Sequence, residues 1–196
     1  MSYPKIKFLS SLYLRKFLGT TSDFDKLLKF KFSFKKYFKK YEKRILKYIE
    51  KYSGLRWTEK EITVWLFDGH YPSISFPLLL NVYGMDKEFT LFSLIHELVH
   101  NIMLFKIKVT KEKSKEFNLI ELEAITQLIT KYVAKNFFNI KKLEELCKKC
   151  EFGGYYKHIW KREQELENKW NLESHPFTYF VEKNKNYLWL EVKHNA

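Results

Sequence analysis

Two histidines and a glutamate near the middle of the chain have the types and spacing of a metal-dependent hydrolytic site. His96-Glu97-Leu98-Val99-His100 is an H-E-x-x-H sequence within an apolar run that is typical of a buried helix. Residues four apart share one helix face, so both imidazoles can converge on one zinc ion while the glutamate reaches a water on that ion. The pattern predicts two zinc ligands, His96 and His100, and a general base, Glu97. The competing interpretation is a pair of core histidines bonded to backbone, with Glu97 in an ion pair.

A catalytic zinc ion needs a third protein ligand and an open fourth position. Met103 and Lys106 exclude the longer motif that ends in a third histidine. The remaining candidates are Glu121 and Glu123 on the next predicted helix. Glu121 falls within the mostly apolar sector of that helix and is preferred, because a buried carboxylate needs a cation. Glu123 points the opposite way, on a more polar face that could instead line a cleft.

The segment Glu121-Leu122-Glu123-Ala124 matches the first part of E-x-x-[A/S]-D, the pattern of a "glutamate helix" that follows an H-E-x-x-H helix. In this combination the chain resembles the gluzincins, the zinc peptidases that include thermolysin and neprilysin. In size and order of elements it is most similar to the small archaeal minigluzincins. The chain has Ile125 where the family often has aspartate. The resemblance covers about residues 33–138.

This resemblance implies a zinc metallopeptidase with one catalytic Zn²⁺ held by His96, His100 and Glu121, acting on peptide or unfolded-protein substrates. It also implies an α+β, zincin-like fold, in which a small mixed sheet packs on a buried active-site helix and a glutamate helix. The corresponding division is a basic and aromatic lead-in over 1–32, a minimal catalytic core over 33–138, and a helical extension over 139–196. The alternative is a latent or non-catalytic zinc-binding regulatory or interaction protein, with self-association or autoinhibition through its extra segments.

Several elements must precede the histidine helix to position it. The apolar spacing after Ser33 predicts an amphipathic helix, with Ser33 as its N-cap and Gly54 as the residue that ends it. A β-rich run predicts a strand over Ile62–Phe67. Further strand is predicted over 73–83, where Pro77 favours a sheet edge. Such an edge strand is also the predicted cradle for an extended peptide.

The second half of the chain has mostly helical patterns. Asp86 is the predicted cap of the histidine helix, and the glutamate helix is predicted from Glu116 or Phe117 to about Phe138. Two further helices are predicted over 143–150 and 155–170, and a final strand over 187–192. Five residues of this half are candidates for stabilising an oxyanion, and the sequence does not choose among them: Tyr155, Tyr156, His158, His175 and Tyr179.

Composition restricts the functional classes. The 196 residues, 45% of them hydrophobic, are enough for one sizeable core, and no run is apolar enough for a membrane span. The N-terminus lacks the apolar core of a signal peptide, so we expect a soluble, cytoplasmic protein. The net charge of +13 is concentrated in the first sixty residues. The lysines around residues 35–47 are interpreted as the solvated face of an amphipathic helix, so nucleic acid is not an expected partner. The alternative is a basic face that binds nucleic acid, anionic lipid or an acidic substrate.

Two cysteines, Cys147 and Cys150, form a C-x-x-C pair. No second pair accompanies them, and His158 is the only nearby residue that could complete a structural zinc site. A redox pair is a further alternative. The favoured interpretation is two reduced, partly buried thiols.

Overall fold

The structure of the protein is a computed structural model that describes residues 3–11, 23–69, 71–104, 106–109, 115–149, 156–183 and 190–192. These residues form seven α-helices, a four-stranded sheet and a two-stranded sheet. The α+β class predicted from the sequence is confirmed. In the described part of the chain, no helix is both long and apolar enough to cross a membrane.

The strands and helices of the described residues are as follows. The strands are β1 (Lys5–Leu9), β2 (Glu61–Phe67), β3 (Ile74–Ser75), β4 (Leu78–Asn81), β5 (Ile107–Val109) and β6 (Leu190–Val192). The helices are α1 (Phe24–Lys39), α2 (Glu42–Ser53), α3 (Lys87–Leu104), α4 (Lys115–Ala134), α5 (Ile140–Lys149), α6 (Tyr156–Lys169) and α7 (Phe177–Lys183). A 3₁₀ turn, Tyr83–Met85, precedes α3. The helix α7 and the strands β1 and β5 are elements that the sequence patterns do not predict, and β1 lies in the lead-in that was expected to be irregular.

The chain divides into two compact units, each made of two separate stretches. One comprises Met1–Lys47 and Trp57–Asn101, and the other comprises Tyr48–Arg56 and Ile102–Ala196. The first contains the four-stranded sheet, and the second contains α4 to α7 with the β5–β6 pair. The three segments predicted from the sequence are consecutive and do not coincide with these units.

The four-stranded sheet has the order β1-β2-β4-β3. Strands β1, β2 and β4 are parallel, whereas β3 pairs antiparallel with β4, with Ser75 opposite Leu78. Alternate residues of β1 and β2 are buried, as expected for a sheet with one face on a core. The strand predicted over 73–83 is therefore a hairpin of two short strands, turning at Phe76-Pro77. Its predicted edge position is confirmed for β3.

The predicted start of the basic helix at Ser33 is wrong. Helix α1 begins at Phe24, and the Asp23 carboxylate accepts a hydrogen bond of 2.9 Å from the Asp25 amide. Ser33 lies inside the helix, where its hydroxyl donates to the Phe30 carbonyl. The apolar stripe starts one to two turns earlier than expected, and its buried aromatic rings pack edge-on against Phe8 of β1.

The predicted single helix is also divided in two, at Lys40 and Tyr41. Glu42 begins α2 with only 7% of its surface exposed, and its carboxylate accepts hydrogen bonds from the Ile6 amide and the Lys39 ammonium. A carboxylate in the first turn also interacts favourably with the helix dipole. Gly54 ends α2 with a φ of +75°, which confirms the predicted C-terminal glycine.

In the second unit, ion pairs join α4 to α6. The Lys131 ammonium lies 2.6 Å from Glu163 and 2.8 Å from Glu167. Burial raises the pKa of Glu163, which is 1% exposed. Burial opposes the charge of Lys131 as well, but its two carboxylate partners outweigh that effect and raise its pKa. These contacts, with Leu166 fully buried beside them, hold α6 on the glutamate helix.

Candidate metal site

The histidine helix α3 begins at the predicted cap. The Asp86 carboxylate accepts hydrogen bonds from the Glu88 and Phe89 amides, at 2.9 and 3.2 Å. The Thr90 hydroxyl donates to the Asp86 carbonyl at 2.6 Å. Apolar side chains then bury most of the helix circumference, with Leu91, Phe92, Leu94, Ile95, Leu98 and Val99 all at 0% exposure. Packing on most sides fixes both the position and the rotation of the turn that carries the histidines.

His96 and His100 face each other one turn apart. Both are half-buried, and their Nε2 atoms are 3.1 Å apart. The ring centroids are separated by 4.7 Å, with the planes inclined at 78°. Zinc–nitrogen bonds of about 2.0–2.1 Å in a tetrahedral site separate two ligand atoms by about 3.3 Å. The observed separation therefore suits two ligands of one ion, and the predicted convergence of the imidazoles is confirmed.

Glu123 of α4 offers a candidate third ligand atom. One ligand atom from each of His96, His100 and Glu123 lies within 4.8 Å of the other two. Within the described ranges, this is the one group of three or more histidine, cysteine or acidic side chains with such proximity. Two imidazoles and a carboxylate could hold a divalent ion, because this donor set suits zinc and other first-row metals.

Glu121, the glutamate preferred from the sequence, has a different partner. Its two carboxylate oxygens accept hydrogen bonds from Nε and Nη2 of Arg162 on α6, at 2.7 and 2.8 Å. Glu121 is 4% exposed, so this bidentate ion pair supplies the cation that a buried carboxylate requires. The structure thus brings the less favoured glutamate, Glu123, to the histidines and pairs Glu121 with an arginine.

The physical reason is that α4 has no single inward face. All seven residues from Ala124 to Thr130 are buried, including Thr126, Gln127 and Thr130. The more polar side of the helix, which carries Glu123, is therefore also covered by protein. Because both sides of this helix are buried, the position of its apolar sector does not show which of the two glutamates lies near the histidines.

Glu97 is held by a residue that the sequence patterns did not single out. Its Oε2 atom accepts a 2.7 Å hydrogen bond from the Ser75 hydroxyl of β3, and the residue is 7% exposed. The Asn101 amide, one turn further along α3, donates to the Ser75 carbonyl at 3.4 Å. Ser75 lies within the predicted edge strand, but only the folded hairpin brings its hydroxyl to α3. These two contacts attach the edge strand to the helix that carries the histidines.

The edge strand also exposes apolar side chains. Ile74 and Phe76, which flank Ser75, are 43% and 64% exposed. Ile74 belongs to β3 and projects to the side opposite Ser75, whereas Phe76 is the first residue of the turn. The hairpin therefore directs a hydroxyl toward Glu97 and exposes two apolar side chains.

The remaining predicted residues are placed as follows. His175 stacks on Tyr179 with ring centroids 4.1 Å apart, and His158 is exposed on α6. Tyr156 is the first residue of α6, whereas Tyr155 and Cys150 lie outside the described residues. Cys147 is half-buried, as predicted, with the Gln127 amide nitrogen 3.8 Å from its sulfur. None of these positions selects an oxyanion-stabilising group.

The site thus combines three side chains that could hold a metal ion with a carboxylate, Glu97, that accepts a hydrogen bond from Ser75. Such an arrangement has the parts needed for metal-assisted hydrolysis. Comparison of the chain with protein families, curated proteins and solved structures gives no match.

Proposed function

We propose that the protein is a zinc-dependent peptidase of the gluzincin type. In this proposal His96, His100 and Glu123 hold one zinc ion, and Glu97 is the general base. The observation that supports it most directly is the clustering of two imidazoles and a carboxylate beside a helix turn that also carries Glu97. The donor set and the 3.1 Å nitrogen separation both fit a zinc ion with an open fourth position.

A zinc ion held by His96, His100 and Glu123 would lower the pKa of a water molecule toward about 7 and would polarise the carbonyl of the scissile peptide bond. Glu97 would take the proton of the attacking water and deliver it to the leaving amine. Because the Ser75 hydroxyl engages Oε2, Oε1 is the oxygen assigned to this proton transfer. The hydrogen bond from Ser75 limits rotation of the carboxylate. Less rotational freedom is therefore lost when the carboxylate takes the proton from the attacking water.

The edge strand supports a peptide as the substrate class. An extended segment can add to the outer edge of β3 through main-chain hydrogen bonds. The exposed side chains of Ile74 and Phe76 then give an apolar surface for one substrate side chain. Unfolded proteins, which expose extended apolar segments, are the natural class to test.

The ligand set is tested by metal analysis of purified variants. The wild type should contain about one zinc ion per chain. Glu123→Gln should lose the metal, whereas Glu121→Gln should retain it. The second substitution is a matched control, because the amide oxygen of glutamine can still accept a hydrogen bond from Arg162. Loss of zinc from Glu121→Gln alone would contradict the proposed ligand set.

The activity is tested separately by digestion of an unfolded protein. Hydrolysis should stop with a chelator and return with added zinc. Glu97→Gln should keep its zinc but lose a factor of about 10²–10⁴ in rate, as expected for removal of a general base. If the protein binds zinc through these residues yet hydrolyses no unfolded substrate, the proposed peptidase activity is wrong and the non-catalytic alternative is favoured.

A further inference from the structure

Nearly all of the charged side chains that the first two helices expose are basic. We define the basic face as the ten exposed residues between positions 26 and 47, nine of which are Lys or Arg. They are Lys26, Lys29, Phe32, Lys35, Lys36, Lys39, Lys40, Lys43, Arg44 and Lys47. Glu42, the one acidic residue in this range, is 7% exposed and accepts a hydrogen bond from the Lys39 ammonium. Asp25, about one turn before Lys29, is an exposed carboxylate at the N-terminal end of the face.

The abundance of lysine in the chain does not by itself explain this pattern. Helix α5 is also lysine-rich, yet Glu144 and Glu145 are exposed beside Lys141 and Lys148. Helix α6 likewise exposes Glu165 among its lysines. These two helices thus mix both signs along their exposed sides, whereas on the first helix the one exposed carboxylate, Asp25, stands at the N-terminal end of the basic stripe.

The face is also continuous. In α1, four of its residues follow one another at the i, i+3, i+7 and i+10 spacing of a single helical stripe: Lys29, Phe32, Lys36 and Lys39. This stripe is about 15 Å long, since an α-helix rises 1.5 Å per residue. It lies opposite the side that buries Leu27, Phe30, Phe34 and Phe38.

We infer that the basic face binds the phosphate backbone of single-stranded nucleic acid without sequence preference. Lysines neutralise phosphates as point charges, and the face has no Asn or Gln to read base edges. Phe32, 67% exposed within the stripe, presents a ring on which an unpaired base can stack. The Lys31 ammonium lies 5.3 Å from the centre of that ring and donates a hydrogen bond to the Ser10 hydroxyl, so it adds positive charge beside the ring.

Single-stranded nucleic acid fits this face better than a lipid surface does. A helix that inserts into a membrane needs an apolar side free to enter it. The apolar side of α1 is buried, with Leu27 and Phe34 at 0% exposure, so only Phe32 protrudes. This inference departs from the interpretation of the lysines as a solvated helix face, and it does not depend on the metal site.

The test is fluorescence anisotropy of the full-length protein with a labelled oligothymidylate of about 16 nucleotides. If about four phosphates are contacted, the logarithm of affinity should fall with the logarithm of salt at a slope of about −3. Between about 50 and 200 mM salt this is a loss of about 50-fold. Binding should be the same with a chelator present. Affinity that is absent or insensitive to salt would overturn the inference.

Variants locate the surface that contacts the oligonucleotide. The double variant Lys29→Glu/Lys36→Glu should weaken binding at least about tenfold and make the salt dependence of the affinity shallower by about 1.4 in slope. The matched control Lys141→Glu/Lys148→Glu, with the same change in net charge, should bind within about twofold of the wild type. Phe32→Ala should lose about fivefold or more through stacking. Circular dichroism verifies that each variant is folded.

Two further probes distinguish the partner. A duplex of the same length should bind more weakly, because its bases are already stacked on each other. Equal binding of the duplex, unaffected by Phe32→Ala, would contradict the single-stranded assignment. Binding to phosphatidylserine vesicles without binding to the oligonucleotide would overturn the inference in favour of a membrane surface.

Discussion

Replacing Arg162 with methionine should destabilise the protein by about 3–5 kcal/mol, the usual cost of leaving a buried charge without its partner. Arg162 holds Glu121 through two hydrogen bonds of 2.7 and 2.8 Å. The side chains of the two residues are only 15% and 5% exposed, so water does not replace the lost guanidinium. Methionine keeps most of the volume and removes only the charge and the donors.

Urea denaturation measures this loss. With a slope of about 2 kcal/mol per molar urea, the midpoint should fall by about 1.5–2.5 M. The measurement is made with a chelator in all samples, so that bound metal adds nothing to the difference. Adding Glu121→Gln to the methionine variant should recover about 2 kcal/mol or more, because no buried charge then remains.

The result also bears on the choice of zinc ligand. If Glu121 is a structural partner of Arg162, loss of their ion pair should lower the stability of the protein. Glu121→Gln should then keep its zinc. If Arg162→Met instead costs less than about 1 kcal/mol, and Glu121→Gln loses its zinc, the assignment of the two glutamates is reversed. The double-mutant cycle and the metal analysis thus test one statement by independent measurements.

Three further predictions follow from single contacts. Ser75→Ala should lower the rate of peptide hydrolysis about tenfold by releasing Glu97, with zinc content unchanged, and Ser75→Thr should restore most of the rate. Gly54→Ala should cost about 2 kcal/mol or more in urea denaturation, because the φ of +75° disfavours a side chain and the new methyl would overlap Thr178. Burial, with neighbouring charges, raises the pKa of Tyr37 from 10.0 to about 12, so the folded state keeps a proton that the unfolded chain loses. Stability should therefore fall as pH rises from about 10 to 12, and less in Tyr37→Phe, when thermal unfolding is followed across that range.

Features that depend on a few neighbouring residues could be predicted from the sequence. The Asp86 cap, the Gly54 helix end and the burial of α3 all follow from local side chains and their spacing. The convergence of His96 and His100 belongs to the same class, because the helix alone sets their separation. These are the parts of the fold and the candidate site for which no tertiary information is needed.

The rest depends on contacts between distant residues. Ser33 has the chemistry of a cap, but Asp23 begins α1 because the buried aromatic stripe extends further toward the N-terminus. Ser75 becomes a partner of Glu97 only when the hairpin folds onto α3, across 22 positions of the chain. The partner of Glu121 is 41 positions away, in a helix that no spacing pattern connects to it.

The charges around the histidines favour a metal ion over a hydrogen bond alone. With Nε2 atoms 3.1 Å apart, both rings cannot carry a proton there, because two donors would face each other. One N–H···N bond would satisfy the rings but would add no positive charge to a site that also holds the Glu123 carboxylate and the buried Glu97. A divalent ion would accept both nitrogen lone pairs and add positive charge beside both carboxylates. Chelation should therefore lower the thermal midpoint of the wild type and leave that of Glu123→Gln unchanged. Equal midpoints for the wild type with and without chelator, after loading with zinc, would refute this balance of charges.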